Sequence, residues 1–204
     1  MPTESTAGID VAERLRASQV DVPGLSRFLD SLSHPERVDA IRTLGRGEQR
    51  RLWESVEGFA PLALCDLVPR DTPSGETVRH FGKNTLPAFT HFEKHFTRPV
   101  AEDAAQPQEL HGYNFQKLSP VTGPGYFVAR MSEERPEILV DYHHVPAVRP
   151  EGWPPIRPND RGLSRFVYGF MIDTLRRVSE HVTIGSAARA GKDMGSWFVL
   201  SREA

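Results

Sequence analysis

His91, Glu93 and His95 occupy alternate positions of the segment FTHFEKHFT (89–97), which alternates like a β-strand. Successive strand side chains point to opposite faces, so these three share one, spread over about 7 Å steps. Two imidazoles and a carboxylate at that spacing could hold a divalent transition metal, with a further ligand from elsewhere. They could also act as general acid and base. Asp141-Tyr142-His143-His144 forms a second set. There Asp141 and His143 share a face, and His143 is the candidate fourth metal ligand. His111 opens a further strand, with Tyr113 on its own face. Chemistry from these residues requires three strands to bring their faces together. A solvated strand face shows the same alternation, with Phe92 and Phe96 buried behind it and Lys94 snorkelling to the edge.

A second constellation is aromatic. Tyr113, Phe115, Tyr126, Phe127, Tyr142, Trp153 and Trp197 lie on or beside predicted strands, and Phe170 lies on the predicted helix beneath them. A curved sheet on one helix can enclose an apolar cavity, and binding sites are concave and mostly apolar, with a few fixed polar groups. Arg130, Asn114, Gln116 and His144 are candidates for those groups. The competing reading is an ordinary core, since aromatic rings dominate core energetics in general.

Other patterns carry no chemistry. GSAARAGK (185–192) has one residue too many between its glycines for a phosphate-binding loop, and Asp193 follows its lysine. Gly123-Pro124-Gly125 is a turn with no helix after it. Cys65, the single cysteine, sits among leucines and reads as a small core residue. RTLGRGEQRR (42–51) concentrates positive charge, but Glu48 and Glu54 dilute it, as on a solvated helix face.

The elements that would position these residues follow from hydrophobic periodicity. Asp10 and Glu13 can cap a first helix running to about Ser18. Leu25, Phe28, Leu29 and Leu32 mark one face of a second. Ser33-His34-Pro35-Glu36 is a capping box opening a third, with Val38, Ile41 and Leu44 inward; a fourth runs from Gly47 to Gly58. Pro61 to Gly75 reads as a connector in which Leu62 to Leu64, Leu67 and Val68 could pack. Strands are expected at 89–97, 110–117, 126–131, 138–145, 181–188 and 196–201. Between the last two pairs, Leu163, Phe166, Val167, Phe170, Met171, Thr174 and Val178 form a wide stripe, predicting a long helix over 162–178 with Asp173 and Arg176 on its polar face.

The expectation is therefore an α+β fold, with N-terminal helices followed by a mostly antiparallel, curved sheet of about six strands packed on one long helix. Residues 1–8 are expected to be disordered and 9–204 to form one domain: a helical part (9–60), a connector (61–75), and the sheet with its helix (76–204). A net charge of −2 does not favour a nucleic-acid partner. One thiol gives no internal disulfide, residues 1–16 lack the apolar core of a signal peptide, and no apolar run is long enough to span a membrane. The expected location is cytoplasmic.

Three functions fit these features. The leading one is non-catalytic binding of an apolar or amphipathic small molecule between the sheet and the long helix, through Tyr113, Phe115, Tyr126, Arg130, Tyr142, His144, Trp153, Phe170 and Trp197. The second is a metal-dependent or acid/base enzyme using His91, Glu93, His95 and His143 or Asp141. The third is a protein-interaction module presenting the N-terminal helices. No cofactor is specified by any motif.

Overall fold

Ser33 and Glu36 close the predicted capping box: the Ser33 backbone N–H donates to the Glu36 carboxylate at 3.0 Å, at the head of a helix over His34–Thr43. In the computed structural model, which describes residues 6–87, 90–116, 123–157, 159 and 169–203, this is α3. It follows α1 (Thr6–Arg16) and α2 (Val22–Ser31) and precedes α4 (Arg46–Ser55). Asp21 caps α2 by accepting from the Gly24 N–H. Buried Arg37 of α3 donates to the Leu29 and Leu32 carbonyls, tying α3 to the end of α2.

Eight strands follow the short helix α5 (Leu64–Leu67): β1 (Val78–Asn84), β2 (His91–Thr97), β3 (Leu110–Phe115), β4 (Tyr126–Met131), β5 (Ile138–Asp141), β6 (Met171–Arg177), β7 (Val182–Arg189) and β8 (Lys192–Arg202). Each pairs antiparallel with the next. β1 also pairs with β8, placing His80 opposite Arg202 and Asn84 opposite Phe198, so the wall closes into a barrel. Closure removes the exposed edges of a sheet. Ala190 and Gly191, both at positive φ, form the two-residue turn joining β7 to β8 within the segment that faintly resembled a phosphate loop.

This corrects the expected architecture in two respects. The sheet is a closed eight-stranded barrel and not an open curved one of six strands. Among the described residues no long helix packs on it: the second half of the expected helix is β6, while residues 161–168 lie outside the described residues. α1 begins at Thr6, within the N-terminal segment 1–8. β1 likewise arises where no strand was expected.

Strand parity sorts the side chains into two cores. Phe92, Phe96, Leu110, Phe127, Val140 and Leu200 point inward and fill part of the barrel. Gly82, Gly112 and Gly185 also lie on inward positions and leave room for the Phe92, Phe127 and Phe198 rings. One end is plugged by the segment read as a connector, with Leu62, Leu64, Leu67 and Val68 packed into the interior core. Leu62 donates to the Pro136 carbonyl at 3.0 Å, and Arg98 reaches back to the Pro69 and Thr72 carbonyls. On the outside, Val182, Ile184 and Val199 pack against Leu15, Leu25, Ile41 and Leu52 of the helices. The apolar stripes of α1–α4 are thus spent on the barrel. Ile9 is the one large hydrophobic residue exposed there among the described residues.

His80, on the inner face of β1, is fully buried; its Nε2 lies 2.9 Å from the Leu67 carbonyl and so carries the proton as donor. Burial holds its imidazole down to about 3, against the Leu67 hydrogen bond that works the other way. A depressed folded-state value means stability that is complete above the unfolded value near 6.5 and is lost as pH falls toward about 3. Between about pH 6 and pH 4 this group alone should cost roughly 1.4 kcal/mol per pH unit. Urea midpoints measured across that window should fall more gently for His80→Gln. Parallel slopes would show that His80 is not the source.

Candidate functional site

Lys94 follows the same parity as Phe92 and Phe96 and so points into the barrel, not to the sheet edge. An ammonium cannot remain there without partners. Each of its three protons meets an acceptor: Asn114 Oδ1 at 3.0 Å from β3, Asp173 Oδ2 at 3.1 Å from β6, and the Tyr142 hydroxyl oxygen just past β5. Asn114 Nδ2 donates to Tyr142 Oη at 2.8 Å, and the Tyr142 hydroxyl donates to Asp173 Oδ2 at 3.1 Å. The ring centroids of Phe127, Tyr142 and Phe198 stand 4.9–5.0 Å from Nζ, and that of Phe92 at 5.9 Å. Their faces offer the cation further electrostatic stabilisation.

Lys94 and Asp173 side chains are each 2% exposed. Burial drives both toward their uncharged forms: it lowers the Lys94 ammonium below the ordinary lysine range and lifts the Asp173 carboxyl above the carboxylate range. Their mutual attraction opposes both shifts. Asp173 Oδ1 has no hydrogen-bonding partner among the described residues.

This network faces a hollow of about 350 Å³ at the barrel end opposite α5. Phe92, Met171, Ala187 and Phe198 supply apolar wall, and Leu86 and Met194, both partly exposed, form part of its lip. Asn84, Gln116 and Arg189 add polar groups. Trp197 lines the rim and on its other side joins the core shared with the helices. A larger depression, about 610 Å³, lies against the outer faces of β4–β6 beside Trp53. It is a charged surface groove: Arg130 is held by Glu109 at 2.6 Å, Arg135 by Glu57 at 2.6 Å, and Arg176 by Glu137 at 2.7 Å.

The residues singled out in the sequence divide between inside and outside. Tyr142 and Trp197 line the hollow, as do Asn114 and Gln116. Tyr113, Tyr126 and Trp153 pack together on the outer face of β3 and β4, under the proline-rich loop, with ring centroids 4.7–6.1 Å apart. The Tyr126 hydroxyl donates to the Pro154 carbonyl and Trp153 Nε1 to Thr77 Oγ1, so these polar tips serve the loop. Phe115 and Phe170 are exposed, Arg130 pairs with Glu109, and His144 pairs with Asp141 at 2.6 Å in solvent. Lys94 and Asp173 escape sequence reasoning because charge argues the first to the sheet edge and helical spacing puts the second on a helix. The usable signal was Lys94 between Phe92 and Phe96 at one parity.

His91, Glu93 and His95 do share a face, but it is the outer face of β2. His95 Nε2 lies 2.7 Å from Glu93, and this hydrogen bond holds the Glu93 carboxyl below its ordinary range. His143 sits past β5 with its ring edge-on to Phe170. β3 and β4 separate β2 from β5 around the wall, so the two sets point in different directions. Among the described residues no three His, Cys, Asp or Glu side chains gather as a metal ion requires. No described helix is long and apolar enough to cross a membrane. Neither a protein-family model nor a curated protein matches the chain.

Proposed function

We propose that the barrel binds an apolar or amphipathic small molecule in its interior hollow and performs no reaction on it. The observation that carries this reading is the contrast within one cavity: a mostly apolar wall ending on a buried, hydrogen-bonded Lys94–Asp173–Tyr142–Asn114 cluster. An apolar chain gains by leaving water, and a polar end has one place to be met. A volume of about 350 Å³ lies at the small end of ligand cavities, which span about 300–1,000 Å³. The site replaces the expected one between sheet and helix; it keeps Tyr142 and Trp197, while Tyr113, Tyr126 and Trp153 pack under the proline-rich loop and Phe115 and Phe170 are exposed.

Phenylnaphthylamine, which brightens in apolar surroundings, should bind the purified protein with one-site saturation. Ala187 lines the hollow and carries the smallest side chain there. Ala187→Trp should fill the space and weaken dye uptake by at least about tenfold, with the near-ultraviolet circular dichroism of a folded protein retained. Uptake equal to wild type in that variant would place the dye elsewhere and remove the reading. Native mass spectrometry followed by organic extraction would name a resident molecule.

A further inference from the structure

We propose that the molecule seated in the barrel ends in an uncharged hydrogen-bond donor, an alcohol hydroxyl, received by Asp173 Oδ1. This rests on the reading of the hollow as a ligand site and specifies the chemistry of what enters it.

The argument is a count of donors and acceptors. An ammonium has three protons, and Asn114, Tyr142 and Asp173 take all three from Lys94. The Tyr142 hydroxyl proton goes to Asp173 Oδ2. Lys94, the cation a fatty carboxylate would seek, therefore has nothing left to donate. The acceptor without a partner is Asp173 Oδ1, on a residue that lines the hollow. A buried acceptor in that state costs its full desolvation, and the group that repairs it must bring a proton.

Charge narrows the choice. A carboxylate would enter beside the Asp173 carboxylate, whose counter-charge is already engaged at 3.1 Å. An ammonium would enter beside Lys94 in the same ring-lined space. Either adds an uncompensated charge to a low-dielectric interior. A hydrocarbon or an ether leaves Oδ1 unmet. A hydroxyl satisfies it without net charge.

Titration calorimetry of the full chain at neutral pH with decanol, methyl nonyl ether, decanoate and decylamine separates these cases. The ether keeps the length and the oxygen of the alcohol but has no O–H. Decanol should bind about tenfold tighter than the ether, as a hydrogen bond to a charged group requires, and the two ionic probes should bind more weakly still. In Lys94→Met/Asp173→Leu, which removes the cluster and keeps the wall apolar, decanol and ether should bind alike. Equal affinities for alcohol and ether in wild type, or decanoate as the tightest probe, would overturn the hydroxyl assignment while leaving ligand binding intact. Uptake of none of the four, together with no uptake of phenylnaphthylamine, would overturn both.

Discussion

Asp173→Ala is expected to destabilise the protein by about 3–5 kcal/mol, because it strands the Lys94 ammonium inside the barrel. The partners that remain, Asn114 and Tyr142, are neutral, and the Lys94 side chain is only 2% exposed. Removing both charges is a different experiment. In Lys94→Met/Asp173→Leu no ion is left to desolvate, and most of the loss should return, since apolar replacements of buried pairs are often neutral or better. Chemical denaturation of Lys94→Met, Asp173→Leu and the double variant closes the cycle. A single-variant loss below about 1 kcal/mol would mean that the pair is hydrated in solution and not enclosed as described.

Gly112→Val should be nearly as damaging, with a cost of at least about 3 kcal/mol, at the upper end of what overpacking produces. Strand propensity alone argues the opposite, since valine favours strands and glycine weakens them. Packing decides the sign. A Cβ at Gly112 would stand 2.3 Å from the Phe127 ring and 2.6 Å from the His95 carbonyl oxygen of the neighbouring strand. A ring can be trimmed, but a paired strand cannot step aside without breaking its ladder. Phe127→Leu introduced with Gly112→Val should therefore recover only part of the loss. Full recovery would show that the ring was the whole obstacle, and a neutral single variant would contradict the inward placement of Gly112.

The helices were legible because their signals are local. Asp21, Ser33 and Glu36 satisfy N–H groups within three residues, and the stripe of Leu25, Phe28 and Leu29 needs no knowledge of the rest of the chain. Strands β2 to β5 were legible from alternation and turn residues. β1 and β6 were hidden because the interior they face is itself partly polar. On β1 the inward residues include His80, Gly82 and Asn84, a set no apolar pattern would pick out. On β6 the inward Asp173 interrupts Met171 and Leu175, and the outward Ile172 and Arg176 blur the period further. Met171, Thr174 and Val178 then fit a helical spacing by accident. The cluster at the floor of the hollow was illegible for a related reason. A lysine between two phenylalanines is placed inside by parity and outside by its charge, and only its partner, 79 positions later, resolves the conflict. That partner lay on the element read with the wrong period. The outer-face histidines show the reverse: His91, Glu93 and His95 share a face as their spacing requires, and what spacing does not fix is which way that face looks.

The seam between β1 and β8 has a consequence for how this chain comes into being. Arg79 and Glu203, which clasp each other there at 2.8 Å, are 124 positions apart. A nascent chain that has emerged from the ribosome through β7 holds every wall of the container except the one that shuts it. Two bare strand borders then face water or any neighbouring chain, and a premature stop before Lys192 makes that state permanent. Contacts this distant in sequence also slow folding, because a long loop must close before they can form. The interior hollow is therefore complete only once β8 has joined both β7 and β1.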